Sequence, residues 1–545
     1  MRTRDAVSPE KLRGGFYSPE VLVKLCLNRA QNLLGDRASI RVLEPAAGDG
    51  AFIRGLAQHP LASCIEHVEA VELLDTESAK AETALRSSEL AGRVLNQNIL
   101  EWYATSASQN YDVVLANPPY VRFQFISEAD KQRAKSLSSQ FGVLGSSVSN
   151  LWIPVFLLAL NSLSEGGAFS VILPTEFLTG VSASRVRSWL LSHTKDLSID
   201  LFKPGSFPTV LQEVLVLSGR RSTSAEKNQR VTFTDHNGGA HSWEHVVSPD
   251  VKTWTSYLLT PEQLKAYQFA QDLQPVRIMS SIARFSVSTV TGANGYFCLP
   301  TSEIRNFNLD TWALPLLGRS RHAQGLVFTP DDHQELTASD HPSWILSFSA
   351  DRPGPESIPA ALNYIQTGEA QSIHARYKTR IRTPWYRVPI VPAGELLLSK
   401  RSNEFPRVIS NQAKVITTDT IYRGKMVPGS GISADDLTAS FHNSLTLLSA
   451  EVEGRSLGGG VLELVPSEVA SLLVPVSNEA HKHLPQIDAA YRASKSGYEL
   501  IENTDMLLSK TISDLTPEVM DHLREARAAL LKRRLMRTAS SFYGK

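Results

Sequence analysis

The sequence predicts an α/β protein: a mostly parallel sheet with helices on both faces, followed by a mixed α+β second half. Three observations lead there. Between residues 20 and 220, short apolar runs alternate with helical patterns, as strands joined by crossover helices do. After about residue 220 the alternation stops, and the polar stretch Ser222-Thr223-Ser224-Ala225-Glu226-Lys227-Asn228-Gln229 reads as a loop or linker. Residues 245–480 then break into short strand-like pieces with scattered Pro and Gly, and the last sixty residues return to a helical pattern. With 545 residues the chain can build two or three domains with cores of their own.

The elements of the first half follow in order. Ile40-Arg41-Val42-Leu43-Glu44 is a buried strand running into a Gly-rich turn, and residues 67–72 are a second strand. Residues 73–90 are a helix rich in Ala and Glu. Tyr111-Asp112-Val113-Val114-Leu115-Ala116 is a further strand. Residues 152–163 form an apolar helix, and 168–173 another strand, stopped by Pro174. In sheets of this kind ligands sit beyond the carboxyl ends of the strands. The divisions expected are 1–220, a connecting segment at 221–284, a third region at 285–485 and a C-terminal helical segment at 486–545.

Composition excludes several classes. Hydrophobic residues make up 42% and charged residues 20%, ordinary for a globular protein. No apolar run reaches about 18 residues, and Met1-Arg2-Thr3-Arg4-Asp5 lacks the apolar stretch of a secretory signal, so a cytoplasmic protein without membrane contact is expected. Cys26, Cys64 and Cys298 are far apart, neither a disulfide framework nor a metal site, and no metal is expected. Net charge is zero, yet residues 371–430 hold eleven Lys/Arg against three Asp/Glu, and 521–545 hold seven against two. Local basic stripes in a neutral protein suit a polyanion groove.

Three constellations carry chemistry. The first is the turn from Glu44 through Pro45, Ala46, Ala47, Gly48, Asp49 and Gly50 into Ala51 and Phe52, whose small residues let a ligand approach the backbone. The helix that follows offers its N-terminal N–H groups. The second is Glu72, a carboxylate ending the next strand, where it can accept both hydroxyls of a ribose. The third is Asn117-Pro118-Pro119-Tyr120. Neither proline has an N–H to continue a ladder, and Pro118 restricts Asn117 to extended angles. The side-chain oxygen of Asn117 and the carbonyl of Pro118 are thereby aimed at one point, where two acceptors hold the two N–H donors of an amino group. Tyr120 offers a flat face for a base. The loop alone identifies only an amino group as acceptor.

Taken together, these motifs resemble the gamma class of N6-adenine DNA methyltransferases, the TaqI-type enzymes of type II restriction–modification systems. The resemblance is strongest over residues 14–217 and weaker over 285–540. It implies a class I S-adenosylmethionine-dependent methyltransferase, Rossmann-like with a seven-stranded sheet, over 1–220, and a DNA target-recognition domain over 285–485. Gly15-Phe16-Tyr17-Ser18-Pro19-Glu20 is similar to the segment that closes over the methionine end of the cofactor, with Ser18 where the family usually has Thr. The Glu44–Gly50 turn matches the cofactor loop and Glu72 the ribose carboxylate. Where the family has an acid and then a Phe near the cofactor adenine, this chain has Asn98 and Ile99, the clearest departure. Phe207 is the best match to a second aromatic that packs on a flipped base, and Val214-Leu215-Val216-Leu217 reads as a strand of a terminal hairpin. In the second half, Val290-Thr291-Gly292-Ala293-Asn294, Leu317-Gly318-Arg319, Phe441-His442-Asn443-Ser444 and Gly458-Gly459-Gly460 resemble landmarks of the recognition region. The run carrying Arg376, Lys378, Arg380, Arg382, Trp385 and Arg387 interleaves cations with aromatics, as phosphate contacts require.

The resemblance implies methyl transfer from S-adenosylmethionine to N6 of a flipped-out adenine in double-stranded DNA, by a monomer, protecting that DNA from a separately encoded restriction endonuclease. The same loop serves cytosine N4 in DNA, guanine N2 in RNA and a protein glutamine amide, and a non-catalytic sequence-specific DNA-binding subunit is a further alternative.

Overall fold

In the computed structural model of the chain, residues 17–106, 110–145, 148–180, 183–203, 206–207, 213–226, 228–349, 352–457 and 460–542 are described. They divide into two compact units, one running to Pro261 and one over Glu262–Thr538.

The first unit is built on one sheet. Its strands are β1 (Ile40–Glu44), β2 (Ile65–Glu72), β3 (Gly92–Asn96), β4 (Tyr111–Ala116), β5 (Leu163–Pro174), β6 (Thr194–Leu201), β7 (Val214–Arg221), β8 (Gln229–Asp235) and β9 (His241–Val247), in the order β3-β2-β1-β4-β5-β7-β6-β8-β9. From β3 to β5 all pairings are parallel, and β7 runs antiparallel between β5 and β6. The helices are α1 (Glu20–Leu34), α2 (Ala51–Ala57), α3 (Asp75–Arg86), α4 (Ile99–Thr105), α5 (Glu128–Gln140), α6 (Trp152–Asn161) and α7 (Ser184–His193). Apolar runs make the central strands: β4 and β5 are almost wholly buried, and α6 is buried from Trp152 to Leu160 because it is apolar on every side. The order in which the chain adds strands reverses between β1 and β4, which pair in parallel with Val42 opposite Val113 and Leu43 opposite Val114. A doubly wound sheet opens its crevice at such a switch point, and the turns after Glu44 and Ala116 flank it.

Two expectations change here. The sheet has nine strands where seven were expected. The additional pair, β8 and β9, comes from the stretch 221–284 expected to be a connecting segment: β8 extends β6 in parallel and β9 closes back on β8. Part of their alternation is readable, since Val231 and Phe233 are buried while Arg230 is exposed and Thr232 half-exposed.

The second unit begins with the helix Pro261–Gln271 and holds a five-stranded sheet in the order Ala283–Ser286, Ile421–Met426, Leu396–Ser399, Val408–Asn411, Val327–Phe328, with smaller sheets beside it. One core gathers Phe285, Leu396, Tyr422, Phe441 and Leu447, and a second gathers Tyr296, Phe297, Trp312, Tyr364 and Tyr386. The C-terminal helices Leu484–Ser494 and Gly497–Thr511, and Pro517–Phe542 as far as Thr538, belong to this unit, not to a separate segment: Leu484, Ile487 and Leu500 share a core with Leu326 and Ala439. Among the described residues no helix is long and apolar enough to cross a membrane.

Candidate active site

A cavity of about 400 Å³ opens at the switch point. Its wall is made where β1, β2, β3 and β4 end. From β1 come Glu44, Pro45, Ala46 and Gly48; from β2, Glu72; from the start of α4, Asn98 and Ile99; and from the loop after β4, Asn117 and Pro119. Tyr17 and Ser18 close one side.

The turn after β1 owes its shape to two glycines. Gly48 has φ 54° and Gly50 φ 81°, in the left-handed region. A Cβ on Gly50 would lie 2.9 Å from the Ala81 backbone, so the close packing of this turn on α3 needs glycine there, whereas a Cβ on Gly48 would meet nothing within 4 Å. Ala47, Asp49 and Ala51 also line the cavity, whereas three of the expected site residues serve behind its wall. Gly50 caps α2, Phe52 is 2% exposed in the core, and Pro19 accepts from Leu22 and Val23 at the start of α1. Gly15 and Phe16 lie outside the described residues.

Glu72 is fixed by backbone. Gly48 N–H donates to its Oε2 and Leu74 N–H to its Oε1, both at 2.9 Å. The carboxylate therefore joins the β1 turn to the β2 turn while keeping acceptor capacity toward the cavity. Glu44 is buried, and its Oε2 has no hydrogen-bond partner. Burial, with Asp49 and Glu72 close by, pushes its carboxyl well above the usual range.

The loop after β4 is held by its own side chains. Asn117 Nδ2 donates to Ser18 Oγ at 3.1 Å. The Tyr120 hydroxyl lies 2.9 Å from Asn117 Oδ1 and 3.0 Å from the Ile172 carbonyl, with its proton shared between the two acceptors. The sequence reading gives Tyr120 an open face for a base. In the folded chain the ring is 5% exposed and does not line the cavity, because its hydroxyl reaches the backbone of β5. Pro118 is buried beneath the loop. Phe207 stands apart from the cavity, its ring edge-on to Phe202 at 5.2 Å. Phe202 stacks on His236, which bonds Asp200; Asp200, fully buried, also accepts from Nε and Nη2 of Arg29.

Asn98 does not face the cavity as a donor–acceptor pair alone. Its Oδ1 accepts from Leu100 N–H at 2.9 Å, capping α4, and its Nδ2 donates to Asp130 Oδ1 at 2.9 Å. Asp130 and Phe125, both in the wall, were missed in the sequence because they follow the Asn117–Tyr120 loop on a stretch with no motif of its own. The serine at 127 was the available signal: with Asp130 three residues on, it marks a helix start.

In the second unit the basic run splits. Arg376, Lys378, Arg380 and Arg387 are exposed. Arg382 instead donates to the carbonyls of Val290 and Thr291 at 2.7 Å each, and Trp385 packs among Tyr296 and Phe297 with its Nε1 donating to Glu369. These two hold the fold rather than present themselves to solvent. Tyr377, an aromatic of the same run, is 66% exposed with Lys378 and Arg380 over its ring. Of the other landmarks, Asn443 caps the helix Ser444–Glu453, Ser444 bonds Asp505, and His442 is fully buried. Gly458 and Gly459 lie outside the described residues. Much of the basic tail is spent internally: Arg534, 3% exposed, is bidentate on Glu451 and donates to the Gly460 carbonyl.

Comparison with known proteins agrees with this division. A family model described as Eco57I restriction-modification methylase matches residues 65–207, and one described as Type II methyltransferase M.Eco57I, C-terminal domain, matches 251–509. The type II methyltransferase M.AccI of Acinetobacter calcoaceticus is 23% identical over 535 residues, covering 92% of this chain and 93% of that one. M.HincII of Haemophilus influenzae is 24% identical over 192 residues, 35% of this chain and 33% of its own. Among solved structures, the type IIL restriction–modification enzyme MmeI in complex with DNA superposes with a TM-score of 0.52 at 14% identity, covering 96% of this chain and 74% of that one, a likeness of fold.

Proposed function

Because the chain belongs to the Eco57I-type family of type II restriction–modification methylases, we propose that it transfers a methyl group from S-adenosylmethionine to N6 of an adenine at one specific sequence of double-stranded DNA. The observation that carries this reading is the convergence of the Gly48 turn, Glu72 and Asn117 on one cavity at the switch point of the sheet.

The residues present fit that cofactor. An unpartnered, buried carboxylate oxygen on Glu44 suits a cationic group, and the space over Gly48 leaves the backbone approachable. Both oxygens of Glu72 are oriented by backbone N–H groups, as a ribose diol needs. When bound, the cofactor supplies an electrophilic methyl. The chain's own part is positioning. The adenine leaves the duplex to reach the loop. Asn117 Oδ1 and the Pro118 carbonyl accept from its amino group and keep the nitrogen lone pair on line. Phe207, braced by Phe202, His236 and Asp200, packs on the base; Tyr120 does so only by turning out of its buried place. In the second unit Arg376, Lys378, Arg380 and Arg387 neutralise phosphates. The chain acts as a monomer in the cytoplasm, beside a separately encoded endonuclease of the same specificity.

Expression in a host lacking adenine methylation, followed by single-molecule sequencing and nucleoside mass spectrometry, tests the reading. N6-methyladenine at one recurring sequence is expected. N4-methylcytosine, or unmodified DNA from a folded protein, overturns it.

A further inference from the structure

We propose that Asp130, with Phe125, reads the nucleobase end of the cofactor, supplying from α5 and the turn before it the acid and the aromatic that Asn98 and Ile99 do not. This rests on the reading that the cavity holds S-adenosylmethionine.

The order of strands fixes which end of the cavity this is. Along the carboxyl edge lie Asn98 after β3, Glu72 at the end of β2, the Gly48 turn after β1 and Asn117 after β4. Three strand spacings separate the β3 end from the β4 end, about 14 Å. A ligand whose reacting group meets Asn117 and whose ribose meets Glu72 therefore carries its base to the β3 end. The wall includes the apolar Ile99, Leu100, Phe125 and Ile126, and Asp130 meets Asn98 there, beside Gln97. A purine is a flat apolar body with a donor amino edge, and this end offers it a phenyl ring and a carboxylate.

The carboxylate is positioned and not saturated. Ser127 Oγ donates to its Oδ2 at 2.6 Å, Asn98 Nδ2 to its Oδ1 at 2.9 Å and Arg133 Nη1 to the same oxygen at 3.1 Å. An ionised carboxylate accepts about four hydrogen bonds; three donors leave capacity for an exocyclic amino group, and the side chain stays 26% exposed at the cavity wall. The Asn98 amide, engaged with Leu100 and Asp130, aligns the carboxylate rather than replacing it. Phe125 sits on a single 3-10 turn, Phe123–Phe125, between the Asn117 loop and the Ser127 cap, so residues 117–130 bring both the methyl-acceptor loop and the base reader to the cavity.

The test is calorimetric binding by the full chain of S-adenosylhomocysteine and of S-inosylhomocysteine, in which a carbonyl replaces the amino donor. Wild-type protein is expected to prefer the adenosyl compound at least about tenfold, the worth of a hydrogen bond to a charged group. Asp130→Asn should reduce that preference to near unity with an unchanged thermal midpoint, and the swap N98D/D130N, which returns an acid to 98, should restore it. Phe125→Ala should weaken both ligands alike, by about tenfold for a lost stacking face. Full preference retained in Asp130→Asn overturns the proposal. Failure of the wild type to bind either compound overturns the cofactor reading itself, and the proposal with it.

Discussion

Tyr120→Phe separates two roles for one side chain. The substitution keeps the buried ring and removes only the hydroxyl that lies 2.9 Å from Asn117 Oδ1 and 3.0 Å from the Ile172 carbonyl. A neutral hydrogen bond contributes about 1 kcal/mol net, so folding stability should fall by about that much. Asn117 then keeps its bond to Ser18 Oγ. If the bond is worth about 1 kcal/mol more in the transition state than in the ground state, its loss slows methyl transfer about fivefold, since about 1.4 kcal/mol is a factor of ten. Cofactor affinity should not change, because Tyr120 does not line the cavity. Tyr120→Ala is less informative, since truncating a buried ring costs about 3–5 kcal/mol of stability. The assay is a single-turnover rate with tritiated S-adenosylmethionine on unmodified genomic DNA, alongside calorimetric cofactor binding. A folded Tyr120→Phe variant with the wild-type rate would refute the claim that the hydroxyl positions Asn117.

Asn117→Ala should lower transfer by at least about a hundredfold, as loss of a transition-state hydrogen-bonding group does, with cofactor binding preserved; calorimetry and the same tritium assay read both. Glu44 bears a raised pKa in the ligand-free fold, so the native state holds a proton that the unfolded chain releases in the usual carboxylate range, and stability falls as pH rises from that range through the shifted value. Glu44→Gln should therefore raise the melting temperature of ligand-free protein more at pH 8 than at pH 5, while weakening cofactor binding; an equal shift at both pH values would contradict this. The triple change R376A/K378A/R380A should make the slope of log affinity for DNA against log salt shallower by about 2.7, whereas Arg382→Ala should lower the unfolding midpoint in urea and leave the slope nearly unchanged. Arg534→Ala strands the Glu451 carboxylate in the core and should cost about 3–5 kcal/mol of stability in denaturant titration.

What could be read in advance followed from burial. β1, β4 and β5 are dense in Val, Leu and Ile because both faces are covered, and such runs stand out in a sequence. β3 did not, since it lies at the sheet edge with Gly92 and Arg93 exposed, nor did β6, whose Lys195, Asp196 and Asp200 interrupt the apolar pattern. Asp200 reads as a surface residue and is in fact buried, paired there with Arg29 from 171 residues away and hydrogen-bonded to His236. Glu44, Gly48, Glu72 and Asn117 were legible because short-range rules place them at strand ends. Arg382 and Trp385 were misplaced for the opposite reason. A run of cations and aromatics has the same composition whether it meets phosphates or closes a core, and only the carbonyls of Val290 and Thr291 decide which.

That ambiguity bears on how charge is divided in the second unit. A cation with a partner inside the fold has part of its field spent before any polyanion arrives. Arg382, Arg492 and Arg534 each hold backbone carbonyls or carboxylates, tying distant segments together. Lys378 and Arg380 lie over the ring of exposed Tyr377 on a one-turn helix, Tyr377–Arg380, that follows Arg376 and lies against Gly292. Gly292 is required there: with φ 81°, a Cβ on it would come within 2.6 Å of Lys378 Cβ. Arg382 anchors the other end of the same turn. The basic run is therefore an exposed tip and its mooring in one segment, so replacing Arg382 should loosen the mooring and lower stability without removing a phosphate contact, while replacing Arg376 should weaken DNA binding alone.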